Sequence, residues 1–236
     1  MSQLQGKNIL VIGANGAFGA AISEQLIEHG ARVLGTARSA ESSVRLSPNL
    51  TARLLLDLEQ PNSIQILADY LLGQPESIDG IVLAAGLVGF GSLAETPVGQ
   101  VERLMRVNAL GQIELIQRLL PKLLDSVLTE REPFVVSISG VIAESPMAGL
   151  AAYSASKSAL FGFAQAAAKE LRKSRIRWMD ARPGHTESGL ATRAIFGTAP
   201  NFGTGLSVDH VVERIIEGIL SDERDLPSTA FSLTLA

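Results

Sequence analysis

Apolar runs alternate with amphipathic stretches along the chain. Asn8–Ile12 reads as a buried strand, and Phe18–His29 as a helix stopped by Gly30, because glycine tolerates the left-handed cap conformation. The pattern predicts further strands at Ala31–Gly35, Leu54–Leu58 and Gly80–Ala84, with a helix over Ser63–Leu72 that Asn62 is placed to cap. A long helix follows over Pro97–Leu120, open to continuation past Pro121, then a strand at Phe134–Ile138 and a helix at Ala152–Lys173. A strand at Arg175–Ala181 and a last helix at Val208–Leu220 complete the series. Strands that read as apolar runs and alternate with helices signal a parallel sheet covered on both faces, so the expected fold class is α/β and doubly wound. After Pro183 the pattern loosens through Gly189, Gly197, Pro200, Gly203 and Gly205, which predicts a mobile, substrate-type loop. No repeat, linker or low-complexity tract divides the chain, so one domain over 1–236 is expected.

Composition narrows the function classes. Of 236 residues 46% are hydrophobic and 19% charged, a balance that supports a buried core. The net charge of −4 offers no clustered positive charge for nucleic acid or an anionic membrane, so neither is expected as a partner. The chain has no cysteine, which removes disulfides, thiolate nucleophiles and cysteine metal sites. The apolar run Asn8–Gly13 is too short for a signal or spanning segment, and a cytoplasmic location is the default expectation. His29, His185 and His210 show no ligand spacing, so no metal is expected; no Gly-x-Ser-x-Gly elbow supports a hydrolase.

Directly after the first strand comes Gly13-Ala14-Asn15-Gly16-Ala17-Phe18-Gly19, where a helix opens. Small residues there let the backbone turn tightly and aim helix N-terminal amides at pyrophosphate oxygens. An ordinary strand-to-helix connection is the competing reading, and the place after strand one favours nucleotide binding. The end of the second strand reads Gly35-Thr36-Ala37-Arg38-Ser39, with no carboxylate to accept a ribose 2′-hydroxyl and with a guanidinium suited to a 2′-phosphate. NADP(H) is therefore expected over NAD(H), the alternative for Arg38 being a solvated loop cation.

Tyr153-Ser154-Ala155-Ser156-Lys157 places a phenol and an ammonium four apart, on one face of a helix. A tyrosine needs about 4 kcal/mol of differential stabilisation to do acid-base work at neutral pH, and a nearby Lys and an oxidised nicotinamide both favour the phenolate. Such a pair also occurs by chance on surface helices. Here it lies about 135 residues after the glycine turn, behind an apolar strand ending in Ser and ahead of Arg182-Pro183-Gly184. In this order the features resemble the short-chain dehydrogenase/reductase family from Lys7 to about Phe231, a single-domain Rossmann-like fold. The resemblance implies Tyr153 as general acid/base, Lys157 as the group that holds the nicotinamide ribose and lowers the Tyr pKa, and Asn108 as support for a water-mediated proton relay. It also implies cofactor contacts at Asp57 and Leu58, at Ala85 and Gly86, and at Pro183, Gly184 and Thr186. His185 lines the nicotinamide pocket or is a plain loop residue, and Thr186 or Ser188 is placed to bond the carboxamide.

Three departures stand out. The glycine the family usually carries in the turn is Ala17; its Asn-Asn-Ala-Gly is here Leu83-Ala84-Ala85-Gly86, without the amide that braces the sheet; and its catalytic Ser, thirteen residues before the Tyr, is Gly140. Ser139 takes the carbonyl-orienting role only if the backbone is bulged by that point, because successive strand residues face opposite ways; otherwise it bonds local backbone. The expected function is an oxidoreductase acting on a small carbonyl or alcohol; the alternative is a nucleotide-binding regulatory protein with little catalysis, kept open by Gly140. Substrate identity and reaction direction are not readable, beyond an apolar, Gly-rich specificity region at Gly189–Leu206 and around Glu144–Leu150. The helices near Val98–Leu120 and Ala152–Lys173 resemble those that pair in family oligomers, implying a homodimer or homotetramer.

Overall fold

The computed structural model describes residues 4–232. Its strands are β1 (Asn8–Ile12), β2 (Arg32–Ala37), β3 (Ala52–Leu55), β4 (Gly80–Leu83), β5 (Phe134–Ile138), β6 (Arg177–Ala181) and β7 (Asp225–Leu226). They form one parallel sheet in the order β3-β2-β1-β4-β5-β6-β7. The α-helices are α1 (Ala17–Glu28), α2 (Ala40–Ser43), α3 (Pro61–Leu72), α4 (Val98–Met105), α5 (Gly111–Leu128), α6 (Ala151–Leu171) and α7 (Val208–Leu220).

Both sheet faces are buried, as the near-continuous apolar strands demand. One face packs Ile9, Val11, Val33, Val136 and Met179 under α1 and α7 through Ile22, Leu26, Val211 and Ile215. The other packs Leu10, Ile12, Ile81, Val135 and Trp178 under α3, α5 and α6 through Ile64, Leu67, Leu115, Leu119 and Ala164. The doubly wound expectation is met. The strand order reverses between β1 and β4, which opens a crevice at their carboxyl ends.

Several boundaries differ from the sequence reading. β2 runs on to Ala37, β3 sits earlier than Leu54–Leu58, and β6 begins at Arg177 because Arg175 takes a left-handed conformation (φ 56°) after the helix. β7, only two residues long, carries no periodicity to read. The long helix is not one helix: a π-helical turn at Arg106–Leu110 separates α4 from α5. α5 continues through Pro121, whose missing N–H frees the carbonyl of Gln117, an exposed residue. The segment after Pro183 is tied down rather than free of partners. Thr186 bridges Leu206, Ile195 N donates to Val88 O (2.9 Å), and Phe90 N donates to Phe196 O (3.0 Å). Among the described residues no helix is long and apolar enough to cross a membrane.

Candidate active site

One cleft of about 640 Å³ runs along the carboxyl ends of the strands, from the glycine turn to the loop after β6. That volume suits a small-molecule ligand. At its start Gly13 has φ 80°, and a Cβ there would lie 3.0 Å from Ala85 backbone atoms; a Cβ on Gly19 would lie 2.2 Å from Gly13 O. Only glycine permits this strand-to-helix turn. Gly16, whose Cβ would stay 3.4 Å from that carbonyl, caps α1 without a side-chain hydrogen bond. The cleft is therefore lined at this end by Gly13, Asn15, Gly16, Ala17 and Phe18, with Gly19 beneath them. Thr36, not anticipated from the sequence, accepts a hydrogen bond from Gly13 N at 3.0 Å and pins the turn to β2. A pyrophosphate fits this cradle, because uncapped helix amides meet it with no side chain in the way.

Arg38 stands at the same end with its side chain 60% exposed. Its Nη1 lies 3.9 Å from Glu59 Oε1, but Glu59 is held by Arg103, through Nε at 2.9 Å and Nη2 at 2.8 Å. An exposed contact of that length binds weakly and leaves Arg38 available to an anion. Asp57 and Leu58 line the neighbouring wall, and Asp57 Oδ1 accepts from Glu59 N at 2.9 Å. Ala85, Gly86, Pro183, Gly184 and Thr186 line the middle of the cleft.

The Tyr-Lys pair lies where the cleft deepens. Tyr153 is half-buried, and its hydroxyl has no protein hydrogen-bond partner among the described residues. Desolvation pushes its pKa up to about 12. Lys157, one helical turn on, is buried and donates from Nζ to Ile138 O at 2.8 Å. Desolvation lowers its pKa to about 8, opposed by the charge of Asp180. The π-helical turn carries Asn108 behind this pair. Its Oδ1 accepts from Leu87 N (2.8 Å), and its Nδ2 donates to Leu87 O (2.9 Å) and Ser156 Oγ (2.9 Å). Asn108 thus joins the loop after β4 to α6 but does not itself line the cleft. Gln112 Nε2 donates to Ala85 O at 3.1 Å, a brace for the loop that lacks the family's asparagine.

Ser139 does not take the expected role. Strand alternation persists through it, so it follows Ser137 toward β6, and both hydroxyls donate at 2.5 Å to the buried carboxylate of Asp180. The break falls one residue later: Gly140 has φ 77° and ψ 162°, a region open essentially to glycine alone. An acidic residue inside the apolar strand Arg177–Ala181 was the readable sign of such a buried cluster. Asp180 also accepts from Arg182 Nη1 at 3.1 Å, and Arg182 forks Asp225 at 2.8 and 2.9 Å and bonds Glu144. Beyond Tyr153 the walls turn apolar, with Val88, Phe90, Ile142, Leu150 and Phe202 in one cluster. His29 and His210 are structural: His29 Nδ1 lies 2.8 Å from Gln25 O and His210 Nε2 lies 3.0 Å from Phe231 O.

Comparison with known proteins agrees with this geometry. Residues 7–195 match the short chain dehydrogenase family model. The "Dehydrogenase/reductase SDR family protein 7-like" of Drosophila melanogaster is 28% identical over 242 residues, covering 95% of this chain and 73% of its own. A short-chain dehydrogenase from Sphingobium yanoikuyae in complex with NADPH superposes with a TM-score of 0.82 at 21% identity, covering 94% of this chain and 87% of that one. A short chain dehydrogenase/reductase from Burkholderia phymatum in complex with NAD superposes with a TM-score of 0.85 at 18% identity, over 97% and 90%.

The lowered pKa of Lys157 predicts a pH effect on stability. Between about pH 8 and the ordinary value of 10.5 the unfolded chain holds a proton that the folded one has lost, so stability rises with pH in that window. The cost of burying the ammonium is in full force below pH 8 and amounts to about 3 kcal/mol. Thermal unfolding of wild type and Lys157→Met from pH 7 to 10 is expected to show wild type gaining on the variant; a constant difference would contradict the buried-ammonium assignment.

Proposed function

The chain belongs to the short-chain dehydrogenase family, and from that premise we propose that it is an NADP(H)-dependent enzyme moving a hydride between nicotinamide and an uncharged carbonyl or alcohol. The observation that carries this reading is the unpartnered Tyr153 hydroxyl, one helical turn from buried Lys157 in the cleft that begins at the glycine turn. When bound, the nicotinamide supplies or accepts the hydride. The amides around Gly16 and Ala17 hold pyrophosphate, and Asp57 and Leu58 flank the adenine. Arg38 takes the 2′-phosphate; the solved relatives carry NADPH in one case and NAD in another, so the preference rests on this corner of the chain. Lys157 orients the ribose, and Asn108 holds the loop after β4 against α6 beside it.

Tyr153 works as a proton donor to the carbonyl oxygen. Burial pushes the phenol's pKa up to about 12, so in the neutral range it carries the proton that the carbonyl oxygen takes up. The apolar wall of Val88, Phe90, Ile142, Leu150 and Phe202 selects an uncharged substrate, since a buried unpaired charge there costs several kcal/mol. α4, α5 and α6 carry the surface for self-association: Val98 on α4 is 87%, Leu128 on α5 81% and Leu110 in the π-helical turn between them 48% exposed.

Fluorescence titration tests the cofactor. Arg38→Ala is expected to weaken NADPH binding about tenfold, as loss of a charge-assisted contact does, and to leave NADH nearly unchanged. Tyr153→Phe is expected to lower carbonyl turnover more than about a hundredfold with NADPH affinity retained. Failure of wild type to bind either nucleotide would overturn the proposal. Light scattering at micromolar concentration is expected to give a dimer or tetramer; a mass of 24.9 kDa, that of one chain, would contradict self-association.

A further inference from the structure

We propose that His185 supplies the second hydrogen bond to the substrate's carbonyl oxygen, in place of any group from the end of β5. The inference rests on the reaction proposed above. Reduction of a carbonyl builds negative charge on oxygen, and donors fixed in advance around that oxygen stabilise it. Tyr153 accounts for one.

The end of β5 supplies no second donor. Gly140 carries no side chain and holds a backbone conformation that any other residue would strain. The Ser137 and Ser139 hydroxyls both donate to Asp180 and are fully buried. The backbone amides are engaged as well: Ser139 N and Gly140 N both donate to Ala181 O, at 3.1 and 3.2 Å, and Val141 N donates to Pro183 O at 2.9 Å.

The loop after β6 offers what β5 does not. Thr186 Oγ1 donates to Gly184 O at 3.0 Å, and exposed Arg193 donates to the carbonyls of Gly189 and Ser188. His185 differs from both. It lines the cleft with its side chain 30% exposed, and neither ring nitrogen makes a hydrogen bond among the described residues. Its ring packs on Phe202 with centroids 4.9 Å apart, and Phe202 belongs to the apolar cluster against which Tyr153 packs. The Cδ2–Nε2 edge has protein neighbours: Cδ2 lies against Gly205, and Nε2 lies 3.5 Å from Glu187 Oε1, itself held by Gly205 N at 2.9 Å. The Nδ1 edge is left for a ligand. Nδ1 donates when it carries the ring proton, in the Nδ1–H tautomer or in the imidazolium, and in the proposed role it carries that proton.

In the step itself His185 donates only a hydrogen bond. The hydride comes from NADPH to the carbonyl carbon and the proton from Tyr153 to the oxygen, giving the alcohol, NADP⁺ and the Tyr153 phenolate, which takes a proton back from solvent.

The test uses the whole protein with NADPH and a panel of uncharged aromatic and alicyclic aldehydes and ketones, followed by NADPH absorbance. His185→Phe keeps a ring against Phe202 but has no N–H, and is expected to lower kcat/KM roughly ten- to hundredfold, mostly in kcat, with the NADPH Kd within about twofold. His185→Gln, which restores a donor, is expected to recover most of that loss. Wild-type kcat/KM in His185→Phe, or an equal loss in Ser188→Ala with none at His185, would overturn the assignment while leaving the reaction standing. A wild-type protein that binds NADPH but reduces no member of the panel would instead overturn the reaction, and the role of His185 with it.

Discussion

A carboxylate buried between two strands must be compensated, and the compensation of Asp180 organises the end of the sheet. Its oxygens take the hydroxyls of Ser137 in β5 and of Ser139 just past its end, together with the Arg182 guanidinium just past the end of β6. Left unpaired, such a charge costs several kcal/mol, so these donors have little freedom to do anything else. Ser139 is thereby fixed on the face that α6 covers, the chain must escape through a glycine at 140, and Ile138 O is presented to Lys157. Arg182 extends the cluster outward to Glu144 and Asp225, locking the turn after β5 and the edge strand β7 to the same centre. Its guanidinium also lies over Phe161, 4.4 Å from the ring centroid, one turn beyond Lys157 on α6.

The cleft built on this frame has two chemically distinct halves. The half around Gly13 to Asp57 presents backbone amides and cations at the crevice where the strand order reverses. The other half is apolar, closed where the segment 195–197 pairs by backbone hydrogen bonds with the segment 88–90. Tyr153 and Lys157 stand at the junction, in surroundings dry enough to raise the phenol's pKa and lower the ammonium's. Desolvation acts in opposite senses on the two because it disfavours whichever form is charged.

Two buried amides hold the loop after β4 in place. The π-helical turn between α4 and α5 inserts Asn108 between Leu87 and Ser156, stitching the loop after β4 to the helix that bears the reactive pair. One turn further, Gln112 reaches Ala85 O, so the loop without the bracing asparagine is still held. Both side chains are fully buried amides: Asn108 bonds through both ends of its amide, whereas Gln112 bonds through Nε2 to Ala85 O and Val107 O while its Oε1 has no partner among the described residues.

The order of apolar runs and helices determined the doubly wound sheet, because parallel strands buried on both faces have a distinctive pattern and few topologies connect them. The spacing of Gly13, Gly16 and Gly19 and the four-residue step from Tyr153 to Lys157 were equally legible, since local geometry alone places those atoms. The family match extends the same reading over residues 7–195. Tertiary structure decided the rest. Whether Ser139 faces the cleft depended on a partner on the neighbouring strand, the break at Leu110 on a π turn, and the course of the Gly-rich loop on backbone bonds to the loop after β4. Each of these is a contact between residues far apart in the chain, and no periodicity or propensity within one segment records which distant group will meet it.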